Sequence, residues 1–142
     1  MIYFNNKPND FLSAPVLKHW LNTLCTTYKV ELKTLHYNFV QEPELLKMNQ
    51  DYLKHDTHTD IITFSYAAPP LIEAEIYISL ERLQENAAIH KESTDNELLR
   101  LLSHGFLHCI GFNDTTKEEK KIMSIEEDRC INMFHVKQAN NV

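Results

Sequence analysis

With 142 residues, 43% of them hydrophobic and 24% charged, the chain has the size and balance of one globular domain, able to bury roughly two-thirds of its unfolded surface. Two glycines, five prolines and the lack of any Ser- or Gln-rich tract exclude a collagen-like, linker-rich or disordered chain. A net charge of −6 excludes the uniform basic field that holds nucleic acid non-specifically, so any nucleic-acid contact has to be local.

Met1 leads into Ile2-Tyr3-Phe4-Asn5-Asn6 without a basic segment and apolar stretch, and no apolar run approaches the roughly 18 residues that span a bilayer. The expectation is a chain that is neither secreted by signal peptide nor inserted in a membrane. Cys25, Cys109 and Cys130 are odd in number and form no C-x-x-C pair. They fit reduced, buried thiols in a cytoplasmic protein better than a disulfide framework or a zinc ribbon.

In chain order, Ile2-Tyr3-Phe4 reads as a strand. Ser13 offers an N-cap to a helix with Pro15 in its first turn, and Val16, Leu17, Trp20, Leu21 and Leu24 carry it to about Cys25. Leu35, Tyr37 and Phe39 alternate with polar residues as a half-buried strand does. Pro43 opens a helix through Leu45, Leu46, Met48, Asn49, Tyr52 and Leu53, followed by the polar stretch His55 to Asp60.

Ile61 to Tyr66 is rich in β-branched and aromatic residues and reads as a strand, ended by Ala67-Ala68-Pro69-Pro70. Ile76 to Ser79 reads as another. A helix from Leu80 to about His90 follows, then a second announced by Thr94 with Glu97 at capping-box spacing. Leu98, Leu99, Leu101, Leu102, Phe106, Leu107 and Ile110 leave that second helix apolar around most of its circumference, so it should lie buried at the centre of the domain. Thr116 with Glu119 repeats the capping box before a last helix. The order β-α-β-α-β-β and three helices predicts one α+β domain over residues 1–142, with a mixed sheet of about four strands and about five helices.

The chemistry concentrates on the central helix. His104 and His108 are four apart, so both imidazoles share one face within reach of one metal ion. In a chain with eight histidines that pair alone is a weak signal. Gly111 strengthens it, because a helix ending on a left-handed glycine turns the chain back and brings Asp114 toward the pair. The run from His104 to Asp114 has the spacing of H-E-x-x-H-x-x-G-x-x-H, with Gly105 at the glutamate and Asp114 at the last histidine. Without that glutamate the general base of a peptidase is missing.

Two neutral imidazoles and one carboxylate leave a four-coordinate Zn²⁺ one open position for water, the arrangement of a catalytic site. Asp114 in place of a histidine also makes harder, oxygen-preferring metals better competitors. Gly105, costly in mid-helix by about 1 kcal/mol against alanine, points either to close packing or to substrate and metal access. Glu97 is explained by its cap and Cys109 by the core. His55, Asp56, His58 and Asp60 form a competing ligand group, best read as turn chemistry with His58 or Asp60 lining the cleft.

The segment His104-Gly105-x-Leu107-His108-x-x-Gly111 resembles the signature of the YbeY family of endoribonucleases. Asn49 and Tyr52, then Asp56 and Thr59-Asp60-Ile61-Ile62-Thr63-Phe64, are similar to a second family stretch. The departures are Asp114 where the family has its third histidine, Asn113 before it where the family has Asp, Leu53 where an arginine usually follows the tyrosine, and His58 for a proline.

The resemblance implies a metzincin-like core with zinc held by His104, His108 and Asp114 at the end of the central helix, one ion per chain. It further implies a cytoplasmic, single-strand-specific, metal-dependent endoribonuclease that matures the 3′ end of small-subunit rRNA and serves ribosome quality control. Asp60 and His58 are the candidate catalytic side chains beside the metal-activated water. Losing the arginine removes a bidentate phosphate partner. Lys47, Lys54, Lys117, Lys120 and Lys121 are the nearby cations, each more simply a solvated surface charge. Weak binding to naked RNA is therefore expected, with the ribosome or a ribosomal protein supplying affinity. The rival readings are a metal-dependent hydrolase of another substrate, such as a peptide, and a non-catalytic ribosome assembly factor with a structural zinc.

Overall fold

The computed structural model describes residues 1–52 and 59–140. The elements are β1 (Ile2–Asn5), α1 (Ala14–Tyr28), β2 (Glu31–Val40), α2 (Glu42–Tyr52), β3 (Ile61–Ser65), β4 (Leu71–Ser79), α3 (Leu80–Ile89), α4 (Thr94–Cys109) and α5 (Lys117–Asn140). Order and type agree with the sequence reading. The strands form one mixed sheet in the order β1-β2-β4-β3. β1 and β4 run parallel to β2, and β3 returns antiparallel along β4 as an edge strand.

Period-two patterning decides which face of the sheet is covered. Ile72, Ala74, Ile76 and Ile78 of β4 and Leu35, Tyr37 and Phe39 of β2 are buried, while Glu73, Glu75 and Tyr77 lie on the other face of β4. β4 begins five residues before the predicted Ile76. Pro69-Pro70 and the weak strand formers Glu73, Ala74 and Glu75 hid its first half.

α4 packs across the buried face, with Leu98, Leu99, Leu102, Phe106 and Leu107 all at 1% exposure or less. Burying a side chain of that size contributes about 1.5–3 kcal/mol. Gly105 lets the helix approach the sheet: a Cβ there would fall 2.6 Å from Ile76 Cδ1. Of the two readings of Gly105, close packing is the one the structure carries. Tyr37 Oη donates to the Leu102 carbonyl at 2.9 Å and ties β2 to α4. Trp20 Nε1 donates to the Cys130 carbonyl at 2.9 Å and ties α1 to α5. Cys25, Cys109 and Cys130 are free and buried, as expected.

The helix ends agree with the sequence pattern at α5 and depart from it at α4. Thr116 and Glu119 form the predicted reciprocal capping box, Thr116 N–H to Glu119 Oε1 at 2.9 Å and Glu119 N–H to Thr116 Oγ1 at 3.1 Å. At α4, however, the cap is Ser93, whose Oγ accepts from Asn96 N–H at 3.0 Å. Thr94 is the first helical residue, so Glu97 lies too far along the helix to close a box. Glu97 is instead buried at 2% exposure, and its Oε1 has no hydrogen-bond partner.

Candidate metal centre

His104 and His108 sit one turn apart near the C-terminus of α4, and the way that helix ends brings in the third group. Gly111 has φ +106°, a left-handed conformation that side chains disfavour. Gly111 N–H bonds to the His108 carbonyl at 3.2 Å and Phe112 N–H to the Leu107 carbonyl at 3.0 Å. Those two bonds form a Schellman motif, which reverses the chain. The reversal returns Asp114 to the histidine pair.

The three groups meet closely. His104 Nε2 and His108 Nε2 are 3.0 Å apart, and Asp114 Oδ2 lies 3.2 Å from the first and 3.4 Å from the second. The outer ring nitrogens fix the tautomers assigned here. His104 Nδ1 lies 2.6 Å from Glu127 Oε2, and His108 Nδ1 lies 2.9 Å from the Phe112 carbonyl. Both partners accept only, so each Nδ1 carries the proton and donates outward. Each Nε2 then turns a lone pair inward.

With both rings neutral, two lone pairs and a carboxylate oxygen converge. Such an arrangement is repulsive by itself and complementary to a cation, and the three ligand atoms lie within 4.8 Å of one another. Nitrogen and oxygen donors of this kind suit Zn²⁺, and three protein ligands are the number found in catalytic zinc sites. The donor set fits the ion.

Glu127 was not foreseen as a site residue. It is a carboxylate on the buried stripe of α5 formed by Met123, Cys130, Ile131 and Phe134, and that misplaced charge is the signal that could have found it. Arg100 from α4 holds it, with Nη1 at 3.2 Å from Glu127 Oε1 and Nη2 at 3.0 Å from Asp128 Oδ1. Burial opposes a charged His104. The Glu127 hydrogen bond and the negative charges of Glu127, Asp114 and Asp60 outweigh it, so the imidazole pKa is raised.

The ligand atoms open on a cleft of about 480 Å³ that is bounded on its far side by β3 and by Asp60. Asp60 Oδ2 accepts from Asn86 Nδ2 at 3.0 Å, and its backbone carbonyl accepts from Ser79 N–H at 3.0 Å. Asp60 therefore lines the cleft, as one reading of its stretch expected. Leu53, Lys54, His55, Asp56 and His58 lie outside the described residues. Cys109 is in the core at 2% exposure. Lys47, Lys117, Lys120 and Lys121 are exposed, as solvated surface charges are.

A family model described as Endoribonuclease YbeY matches residues 4–135. The chain belongs to the YbeY family. Among curated members, Endoribonuclease YbeY of Cytophaga hutchinsonii is 39% identical over 118 residues, covering 82% of each chain. Endoribonuclease YbeY of Flavobacterium johnsoniae is 36% identical over 139 residues, covering 97% of this chain and 100% of that one. The solution structure of TM1509 from Thermotoga maritima superposes with a TM-score of 0.65 over 99% of this chain and 93% of that chain; at 22% identity it supports the fold alone. Among the described residues no helix is long and apolar enough to cross a membrane.

Proposed function

We propose that the protein is a zinc-dependent endoribonuclease that cleaves single-stranded RNA during maturation of the small-subunit rRNA 3′ end and in ribosome quality control, in the cytoplasm. The observation that carries the reading is the convergence of His104 Nε2, His108 Nε2 and Asp114 Oδ2 within 4.8 Å at an open cleft, in a chain whose family members are named endoribonucleases. Zn²⁺ held there supplies Lewis acidity toward a phosphodiester oxygen.

The chain's own residues supply the rest. Glu127 and the Phe112 carbonyl hold the two imidazoles in the tautomer that turns Nε2 inward. Asp60, anchored through Oδ2 by Asn86, takes up the proton released as a water oxygen attacks phosphorus and the bond to the leaving oxygen breaks. His58 is the second proton carrier in this reading. The net charge of −6 and the leucine at position 53 leave little to grip a phosphate chain, so the ribosome or one of its proteins supplies the missing affinity.

The test is cleavage of a labelled single-stranded RNA and of its duplex by zinc-loaded protein, beside His108→Ala and Asp60→Asn. Cutting of the single strand alone, lost in His108→Ala and reduced about 10²-fold or more in Asp60→Asn, supports the assignment. A wild-type protein that leaves RNA intact overturns it.

A further inference from the structure

β3 forms the rim of the sheet, and its side chains alternate across it. Thr63 and Ser65 line the cleft that holds the histidines, while Phe64 and Tyr66 line a second opening of about 300 Å³ together with Met48, Tyr52 and Tyr77. Tyr52 and Tyr66 keep 68% and 60% of their surface exposed, although large aromatic rings are the side chains that folding gains most by covering. Phe64 meets Tyr52 edge to face at 6.0 Å and 86° and Tyr77 at 5.9 Å and 82°, so two rings stand upright against a third. Tyr77 Oη donates to Glu75 Oε2 at 2.8 Å, which fixes that ring.

We propose that this aromatic cavity is a base-stacking subsite, taking one unpaired base of an RNA strand whose adjacent phosphodiester lies in the His104–His108–Asp114 cleft. The proposal rests on the endoribonuclease reading and adds to it where the strand is held. Three observations point to a base as the occupant. Among the described residues the lining is aromatic apart from Met48 and bears no cation, and stacking on tyrosine and phenylalanine binds single strands without one. The chain is acidic and Glu75 borders the cavity, so the flat apolar face of a nucleotide suits it and the phosphate does not. Neighbouring residues along the sheet edge, Thr63 beside Phe64 in β3 and Ser65 beside Tyr66 just after it, line the two openings, so a strand crossing the rim meets both. A base stacked and paired within a duplex has both faces covered and cannot enter, which gives selection of single strands a physical cause.

The test is binding of an uncleavable 2′-O-methyl oligonucleotide of about eight residues to the zinc-loaded full chain, read by fluorescence anisotropy, for wild type, Tyr52→Ala, Tyr52→Phe, Tyr66→Ala and Tyr66→Phe. Both tyrosines are exposed, so truncation leaves the core intact. The expected result is a Kd raised about ten-fold by each alanine, restored by each phenylalanine, and a loss of that difference when one nucleotide is made abasic. Alanine variants that bind like wild type, phenylalanine variants as weak as alanine, or a wild type that does not bind the oligonucleotide would each overturn the subsite. The two readings separate in the same samples. Alanine-sensitive binding without cleavage of the unmodified RNA keeps the subsite and sinks the nuclease, whereas cleavage with alanine-insensitive binding does the reverse.

Discussion

Glu127 Oε2 lies 2.6 Å from His104 Nδ1 across the α4–α5 interface, so the last helix of the chain sets the orientation of a candidate metal ligand on the central one. A carboxylate behind a ligating imidazole fixes its tautomer and raises its basicity. Glu127→Ala is expected to weaken zinc affinity about 10–100-fold, and Glu127→Gln by less, because its amide oxygen still accepts from Nδ1. Titration against a chromogenic chelator checks this on variants shown to be folded by circular dichroism. Wild-type affinity in a folded Glu127→Ala would contradict the role.

Gly105 stands against Ile76, and the substitution of either should depend on the other. Gly105→Ala gains about 1 kcal/mol of helix propensity but places its Cβ at 2.6 Å from Ile76 Cδ1, and overpacking a fixed core costs about 1–3 kcal/mol. The expected outcome is a net loss of about 1 kcal/mol in urea unfolding. Ile76→Val removes Cδ1, so the double variant should be more stable than the sum of the two single changes. Simple additivity would show that contact to be unimportant.

Gly111→Ala places a side chain at φ +106° in the turn that delivers Asp114. A stability loss above about 1 kcal/mol is expected, together with weaker zinc binding, since the displaced turn carries a ligand. Loss of stability with unchanged zinc affinity would separate the turn from the site.

Burial pushes the Glu97 carboxyl pKa up, against the pull of Arg100 and His90. With the folded-state value above the unfolded one, the folded protein binds more protons between them, so this group makes stability fall as pH rises from the ordinary glutamate range. Glu97→Gln removes the ionisation. It should raise stability at neutral pH relative to wild type and flatten the pH dependence over that window, as read from urea midpoints across pH. Parallel curves for the two proteins would exclude the effect.

Much of the metal centre is legible in sequence because its parts are local: two histidines one turn apart, a glycine whose backbone ends the helix, and an aspartate carried back by the turn. Glu127 is not, because its partner lies 23 residues away and only the packing of α5 on α4 joins them. The cap of α4 was misplaced by one residue. Ser93 and Thr94 are both good caps, and choosing Thr94 gave Glu97 a false explanation. The aromatic cavity was hidden for another reason. Tyr52, Phe64 and Tyr77 come from three elements, and only the antiparallel return of β3 along β4 and the packing of Tyr52, at the end of α2, on Phe64 bring them together.

His104, His108 and Asp114 are expected to hold one metal ion. Metal content, measured by plasma mass spectrometry on untagged protein beside His108→Ala and Asp114→Ala, checks this. About one zinc per chain is expected in wild type, with loss of it in both variants. No zinc in wild type, or full retention in both folded variants, would contradict it.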